Sequence, residues 1–425
     1  MEAEDRLTGR QLASSRFPWW TSGGFGRLFA GQAISVVGTQ VTGLALPVTA
    51  VFLLGATPVQ MGLLGALDNL PYLLFGLFVG IVVDRFRRRR LMVSADLVRA
   101  LAVGSIPLAA LAGCLGFPQL CAVVFVVGAS NLVFDVSAQA QMPDLLTADR
   151  LMSGNASLQA TSSLAMVVGP GIAGQLIAIV GAPVAIAVDA VSYVASALFI
   201  RSIREPELPR HDSTESAGSR ILAALKLVRS DGRLVGLAGA TATAALAANA
   251  LFAVFVYYLA RRYGFQAGSI GLVHMVVGLA GVLGAIVVPA LVGRGIRLGI
   301  VLATLPVLAG GALCLLPAAT LAGPLAVYAL LAGSMIFGLG LISFSVLAAG
   351  LRQALAPAEA RGRVLGTLRF FEWGSMPVGS LIGGLLGGLL GPEAAIEFAG
   401  LAFMASALWI VATPLFALER VPPGS

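Results

Sequence analysis

The chain has 425 residues, of which 58% are hydrophobic, 11% are charged and 52 are glycine. Soluble globular domains carry about 25% charged residues, so this composition excludes a soluble domain and indicates a membrane protein. The formal net charge is +7. Basic residues kept in loops on one side of a membrane account for this charge without a nucleic-acid partner.

Apolar windows of about 20 residues, the length that crosses roughly 30 Å of hydrocarbon, occur about twelve times. Their glycines, prolines and branched aliphatic residues are typical of transmembrane helices, whereas outer-membrane strands alternate over about ten residues. The predicted fold class is therefore an all-α integral membrane protein with twelve transmembrane helices. The windows lie near 27–54, 59–83, 91–113, 118–141, 156–180, 182–202, 234–260, 268–291, 298–317, 323–349, 366–389 and 394–417.

The stretch GIVVDRFRRRRL at 80–91 places one aspartate and five arginines directly after an apolar run. An arginine at the bilayer centre costs roughly 2.5 to 3.5 kcal/mol, so these residues must lie in a loop. Basic short loops stay in the cytoplasm, where an anionic leaflet attracts them. The remaining Lys and Arg fit the same orientation, since only Arg261 and Arg262 fall in an outer loop and Arg99 and Arg369 within the membrane.

The two halves of the chain repeat each other. ASALFI at 195–200 recurs as ASALWI at 405–410, and each copy ends the sixth predicted helix of its half. Between the halves lies the long polar stretch 204–220, followed by Ile221, Leu225 and Val228 at the spacing of an amphipathic helix. The predicted organisation is a cytoplasmic segment 1–26, a six-helix bundle 27–202, a cytoplasmic linker 203–233, a second six-helix bundle 234–417 and a cytoplasmic tail 418–425.

Several other features are expected to be structural. The first 26 residues are polar before any apolar run, which predicts no cleaved signal peptide, and Trp19 and Trp20 are expected at the membrane interface. The cysteines at 114, 121 and 314 are predicted to be packing residues. No phosphate-binding loop precedes Lys226, and no HExxH or GxSxG pattern occurs, so we predict no enzyme activity, no cofactor and no metal site.

Several motifs of this sequence resemble those of the major facilitator superfamily, and the resemblance extends over essentially the whole chain. Its signature between helices 2 and 3 is matched by Gly80, Asp84, Arg85, Arg88 and Arg89, with Arg87 in place of the usual second glycine. A Gly-Pro motif of antiporter-type exporters is matched on helix 5, and the phrases at 96–100, 142–156 and 355–366 resemble a bacterial branch of siderophore exporters and macrolide pumps. The Gly-Pro motif residues are Gly169, Pro170 and Gly174.

The resemblance implies a monomeric transporter in a bacterial cytoplasmic membrane, with both termini cytoplasmic and two bundles that alternately expose a central site. It also implies that Asp84 lies near the start of helix 11 and that the arginines form latches made in the outward-open state. Two departures concern the mechanism: helix 4 lacks the arginine that many proton-coupled exporters carry there, and the second-half counterpart ALVGRGIRLG lacks the aspartate.

Ionisable and polar side chains at membrane depth are candidates for the transport site. Asp68 lies near mid-depth on helix 2 and is the first candidate for proton coupling; its alternative role is to cap a kink before Pro71. Asn131, Asp135 and Gln139 share one face of helix 4. This face is expected toward the cavity or a neighbouring helix, with Asp135 either binding substrate or pairing with Arg88.

Further candidates lie in the second half. Arg369 and Glu372 are three residues apart and are expected to pair within helix 11, or to contact substrate. His274 titrates in a useful range or is structural, and Asn249 lines the cavity or packs between helices. Helices 3, 6, 9 and 12 are peripheral by analogy with the superfamily. Asp96 with Arg99, Asp189 and Glu397 are therefore expected to be structural pairs or caps.

The predicted function is export of a hydrophobic or amphipathic small molecule, coupled to protons. A cavity with few fixed charges favours neutral or weakly charged substrates. A proton-coupled importer and a membrane-embedded sensor or scaffold without flux are the alternatives.

Overall fold

A computed structural model describes residues 23–76, 78–205, 225–357 and 360–420. The segment 1–22, the linker residues 206–224 and the tail 421–425 lie outside this description, and with them Trp19, Trp20 and Ile221. The described residues form helices and connecting turns, with no strand among them. We number the helices by the predicted span that each one overlaps.

Each of the twelve predicted windows overlaps one helix, and the second is divided into α2a and α2b. The helices are α1 (Gly23–Val48), α2a (Pro58–Phe75), α2b (Val79–Arg85), α3 (Arg88–Leu111), α4 (Phe117–Leu145), α5 (Ala148–Val180), α6 (Ala182–Arg201), α7 (Gly232–Arg262), α8 (Ala267–Gly293), α9 (Leu298–Leu315), α10 (Ala326–Leu355), α11 (Arg361–Leu389) and α12 (Pro392–Val411).

Ten helices in the described part of the chain are long and apolar enough to cross a membrane, and the bent pair α2a–α2b would make an eleventh. The helix outside this set is α11, which has 29 residues but includes three arginines, a glutamate and many glycines. These residues make α11 less apolar than its neighbours, although it lies between α7 and α2a in the bundle.

The helices pack as two groups that follow the halves of the sequence. In the first half, α6 packs on α1 and α3, and α4 packs on α2a and α3. In the second half, α7 packs on α11 and α12, and α10 packs on α8 and α9. The repeated ASAL segments occupy equivalent places, because Ser196 and Ser406 are both fully buried. The repeat therefore corresponds to a shared packing position on α6 and α12.

Two helix pairs make most of the contacts between the halves, α2a with α11 and α5 with α8. At each crossing, glycines let the backbones touch. A β-carbon added to Gly62 would lie 2.6 Å from the Cα of Gly384, and one added to Gly174 would lie 3.1 Å from the Cα of Gly271. We call the end of the molecule that holds the α2–α3 connection the arginine end, and the opposite end the distal end. Both glycine contacts lie toward the distal end, where α2a and α8 begin and α5 and α11 finish.

The start of α2a explains how its polar residues are positioned. Thr57 caps the helix by accepting a hydrogen bond from the backbone N–H of Gln60 at 3.3 Å, while the Gln60 side chain accepts from the Thr57 N–H at 2.8 Å. Pro58 occupies the first turn, where its missing N–H is not needed. This reciprocal cap fixes the register of α2a and therefore the face on which Asp68 lies.

Candidate functional site

A cavity of about 300 Å³ lies between the two halves. Residues of α1, α2a, α3, α4, α6, α7 and α11 line it, and its apolar wall includes Leu46, Val124 and Phe252. None of the described residues that line it is Arg, Lys or His. Its polar lining includes Asp68, Asn69, Asn131, Asp189, Tyr193 and Asn249. A mostly apolar pocket with a few polar groups is the usual form of a small-molecule site.

Asp68 is the carboxylate most open to this cavity. It lies on α2a, its side chain is exposed, and in the described chain it makes no hydrogen bond or ion pair. No hydrogen bond therefore identifies it as the cap of a kink at Pro71. An unpaired carboxylate at membrane depth is costly, which is the physical reason to regard Asp68 as a binding group.

Asn131 is held by a charged network on the neighbouring helix. Arg99 of α3 donates from Nη1 to Oδ1 of Asn131 at 2.8 Å and pairs with Asp96 one turn before it on α3. The Arg99 guanidinium lies between two aromatic rings, 4.4 Å from the centroid of Phe134 and 4.5 Å from that of Tyr193. Asp96 and Arg99 thus form the structural pair that the sequence indicated. Through Arg99, the pair also holds the side chain of Asn131, which lines the cavity.

Asp189 and Tyr193 of α6 line the cavity, so the expectation that helix 6 is peripheral is wrong for this face. It is wrong for one position of helix 3 as well, because Val103 of α3 also lines the cavity. Asp189 is fully buried; its Oδ1 accepts a hydrogen bond from Ser192 at 3.0 Å, and its Oδ2 has no hydrogen-bond partner among the described residues. The reason is close packing of α6 on α1, where Gly38 has no side chain to keep Asp189 away. The sequence did carry a signal for this role of Asp189, because an acidic residue in the middle of a membrane-spanning helix is a candidate for a functional site.

The face of α4 that the sequence singled out divides between two environments. Asn131 lines the cavity, whereas Asp135 and Gln139 are exposed one and two turns closer to the arginine end. Asp135 accepts a hydrogen bond from the Tyr72 hydroxyl at 3.3 Å. The ring of Tyr72 meets Trp373 of α11 edge-on, with centroids 5.0 Å apart. This aromatic contact joins the two halves beside Asp135.

Two predicted ion pairs have different partners in the structure. Arg88 pairs with Asp144 at 2.9 Å and donates to the carbonyl of Ala140 at 2.7 Å, near the end of α4, so the proposed pairing with Asp135 is wrong. Glu372 pairs with Arg352 of α10 instead of Arg369. For Glu372 the partner comes from another helix, whereas the partner of Arg88 lies beyond Asp135 on the same helix α4, nearer the arginine end.

Arg369 lies instead over the ring of Trp373, 5.7 Å from its centroid. His274 of α8 is not among the described residues that line the cavity. Its Nδ1 lies 2.9 Å from the carbonyl oxygen of Ile270, and its ring meets Phe255 edge-on at 5.5 Å. These contacts favour a structural role for His274. Asn249 of α7 does line the cavity.

The signature residues lie at the arginine end. Asp84 and Arg85 are exposed where α2b finishes, and a β-carbon added to Gly80 would meet no atom within 4 Å. Arg89 donates to the carbonyl of Ile203, just after α6. The contacts described for Arg88 and Arg89 bind α3 to other parts of its own half.

The Gly-Pro motif lies at the α5–α8 crossing. A β-carbon added to Gly169 would lie 2.6 Å from the side chain of Gln40 on α1, and Gly174 faces Gly271 on α8. Pro170 lies within α5, with its carbonyl directed at Gly271. The motif therefore provides close approach of α5 to both α1 and α8.

Other chemistry is sparse in the described part of the chain. It contains no group of three or more His, Cys, Asp or Glu side chains arranged to hold a metal ion. The three cysteines are free thiols and lie apart from the cavity. The candidate site thus consists of carboxylates, carboxamides and hydroxyls in an apolar surround.

Comparison with known proteins agrees with this arrangement. The chain is 26% identical to macrolide efflux protein A of Streptococcus pyogenes over 184 residues, which are 43% of this chain and 45% of that protein. The chain thus matches less than half the length of that relative. It is 27% identical to the multidrug efflux pump Tap of Mycobacterium tuberculosis over 380 residues, 85% of each chain.

Among solved structures, a bacterial homologue of the iron transporter ferroportin is similar in fold. Its inward-facing form superposes with a TM-score of 0.71 at 18% identity, covering 91% of this chain and 97% of that one. Its outward-facing form gives a TM-score of 0.62 at 20% identity, covering 92% and 98%. The family model described as Major Facilitator Superfamily matches residues 28–373. The chain therefore belongs to the Major Facilitator Superfamily.

Proposed function

We propose that this protein is a secondary active transporter that exports a hydrophobic or amphipathic small molecule in exchange for protons. The single observation that carries the proposal is Asp68, an unpartnered carboxylate in a cavity between two bundles. The efflux activities named for the macrolide and multidrug relatives support export as the direction.

The places where the halves touch support alternating access. The glycine contacts of α2a with α11 and of α5 with α8 lie toward the distal end, while Asp135 and Gln139 are exposed toward the arginine end. We propose that the arginine end is cytoplasmic, next to an anionic leaflet, and that the cavity in this structure is open inward. Parting of the two distal crossings and closure at the arginine end would then expose the cavity outward.

The charge of the cavity lining supports proton coupling. An ionised carboxylate is costly at membrane depth, and no basic side chain among the described lining residues compensates Asp68. A proton is the smallest ligand that neutralises it. A substrate that binds beside the ionised carboxylate competes with that proton, so an inward proton gradient can drive the substrate outward.

We further propose that the protein works as a monomer in the cytoplasmic membrane of a bacterium. Each half contributes residues to the cavity, Asp68 and Asn131 from the first and Asn249 and Ser380 from the second. One chain therefore completes the site, and a second copy is not needed to form it.

The test uses everted membrane vesicles in which an imposed pH gradient drives transport. Two tritiated probes are used: erythromycin, chosen from the macrolide relatives, and propranolol, a compact amphipathic amine that suits the cavity volume. Export appears as gradient-dependent accumulation beyond that in everted vesicles without the protein, because both probes are weak bases that an acidic lumen traps unaided. Loss of preloaded probe on energisation would instead show uptake, and the proposal would be wrong.

Asp68→Asn tests the coupling role. The variant keeps an acceptor oxygen but cannot exchange a proton, so gradient-driven accumulation is lost while exchange of labelled for unlabelled probe persists. Glu397→Gln on α12 is the matched control, because it removes an exposed acid that does not line the cavity. Full gradient-driven accumulation by Asp68→Asn would refute this coupling role.

A further inference from the structure

Three carboxamides line the cavity, and the structure fixes which end of each one faces it. The oxygen and nitrogen of an asparagine are normally distinguished only by their hydrogen-bond partners. Asn69 donates from Nδ2 to the carbonyl of Gly65 at 2.9 Å, and Asn249 donates from Nδ2 to the carbonyl of Ala245 at 2.9 Å. Both amides bond back to their own helix and leave their Oδ1 atoms as acceptors.

Asn131 is oriented the other way. Its Oδ1 accepts from Arg99 Nη1 at 2.8 Å, so its Nδ2 group is left as a donor. Turning this amide over would place an N–H₂ group against the guanidinium, donor against donor, and Arg99 therefore sets the orientation. Arg99 lies outside the cavity and is a positioning residue for this donor.

The cavity is thus rich in acceptors. Among its carboxylates and carboxamides, Asp68, the Oδ2 atom of Asp189 and the Oδ1 atoms of Asn69 and Asn249 accept, against the donor presented by Asn131, while the lining hydroxyls can donate or accept. Buried acceptors that lose water without gaining a partner cost about 1 to 3 kcal/mol each. A ligand that displaces cavity water is therefore favoured if it supplies N–H groups to these oxygens.

We propose that the cavity selects a compact amphipathic amine whose protonated nitrogen carries at least one N–H, with an oxygen acceptor near that nitrogen. The N–H groups reach Asp68 and the carboxamide oxygens, the oxygen acceptor meets Asn131, and the apolar body lies against the aliphatic wall. This inference rests on the proposed function, and names the substrate class of the same site.

Permanent cations are the informative contrast. A quaternary ammonium carries the same charge but no N–H, so its nitrogen donates a hydrogen bond to none of the acceptor oxygens. Such cations are usually held by several aromatic faces. The aromatic side chains that line this cavity, among the residues described, are Phe252 and Tyr193. The cavity should therefore distinguish the two kinds of cation by hydrogen-bond donation, because their charge is the same.

The experiment compares propranolol, a secondary amine with hydroxyl and ether oxygens, with its quaternary N,N-dimethyl derivative. Binding of each to the purified full-length protein in detergent is followed by isothermal titration calorimetry at pH 7.5. We expect the wild type to bind propranolol at least about tenfold more tightly, a difference of ~1.4 kcal/mol. Equal affinities would overturn the proposal, and so would absence of binding at about 1 mM, the weak end of specific affinity.

Asn249→Leu removes one acceptor at nearly constant side-chain size. The ratio of the two affinities is expected to fall by about threefold or more, because one charge-assisted hydrogen bond is lost. The matched control is Asn155→Leu on α5, whose amide likewise bonds back to its own helix, at 3.0 Å, but which does not line the cavity. An unchanged ratio in Asn249→Leu would overturn the proposal.

Two safeguards separate the possible failures. If Asn249→Leu does not give a folded peak in size-exclusion chromatography, the wild-type ratio alone decides. If the ratio holds but neither ligand accumulates in everted vesicles, the amine site stands and the proposed export function fails. If accumulation is seen but the ratio is one, export stands and the amine site fails.

Discussion

The carboxylate of Glu372 on α11 pairs with the guanidinium of Arg352 on α10, although Arg369 stands one turn away on its own helix. Both side chains of the pair are largely buried, with 14% of Arg352 and 23% of Glu372 exposed. The pair connects two helices of the second half that otherwise make few contacts with each other.

Glu372→Gln should lower stability, because it leaves the Arg352 guanidinium largely buried without its anion. The expected loss is about 1 to 3 kcal/mol, seen as a lower melting temperature in detergent by differential scanning fluorimetry. Asp149→Asn is the control: its pair with Arg150 has 57% of Arg150 and 76% of Asp149 exposed and should contribute little. Equal melting temperatures for the two variants would contradict this prediction.

A second buried pair, Arg88 with Asp144, gives a prediction about the signature arginines. Asp144 is only 3% exposed, and Arg88 also holds the carbonyl of Ala140. Asp144→Asn should therefore destabilise the first half by about 1 to 3 kcal/mol. Limited proteolysis should then cut between α3 and α5 faster than in the wild type. Unchanged proteolysis would contradict this prediction.

The spans could be predicted from the sequence because hydrophobic length is a local property of the chain. Asp68, Asn131 and Asn249 were singled out for the same reason, since polar residues at membrane depth stand out in an apolar run. The partner of Glu372 could not be found this way. Spacing rules describe one helix at a time, and Arg352 comes from another.

Asp189 and the orientation of Asn131 show the same limit. Asp189 was set aside by ranking whole helices as central or peripheral, whereas one face of α6 reaches the cavity where α1 carries Gly38. The donor or acceptor character of Asn131 depends on Arg99, 32 residues away in sequence. Both properties arise from contacts between helices.

The α2a–α11 crossing gives a prediction about alternating access. A β-carbon on Gly384 would lie 2.6 Å from the Cα of Gly62, and backbone atoms cannot move aside as a side chain can. Gly384→Ala should therefore oppose closure of the distal end by about 1 to 3 kcal/mol, the usual cost of overpacking, and slow transport by roughly tenfold or more.

Spin labels at Leu53→Cys and Leu390→Cys, both exposed positions on opposite halves near the distal end, would report the change as a longer distance in Gly384→Ala. The measurement uses a background without native cysteines. Gly366→Ala on the same helix is the control, because nothing lies within 4 Å of its added β-carbon. A distance distribution in Gly384→Ala that matches this control would refute the prediction.

Asp231 gives a prediction about pH. It caps α7 by accepting a hydrogen bond from the Arg233 backbone N–H at 2.8 Å and pairs with the Arg233 side chain at 2.8 Å. Partial burial raises the pKa of the Asp231 carboxyl, but the hydrogen bonds from the side chain and backbone of Arg233 outweigh it and hold the pKa below its usual range. A carboxyl with a lowered pKa stabilises the folded state above the ordinary Asp value of about 3.9, and this contribution is lost as the pH falls below it.

Asp231→Ala should therefore melt at a lower temperature than the wild type at pH 7, by an amount that corresponds to about 1 kcal/mol. The difference should persist down to about pH 5 and shrink below about pH 4, as the wild-type carboxyl becomes protonated. Asp231→Asn is the matched control, because asparagine caps a helix without a charge and its own difference from Asp231→Ala should not vary with pH. If the difference in melting temperature between the wild type and Asp231→Ala stays constant from pH 7 to about pH 3, the ionised carboxylate contributes nothing to the cap.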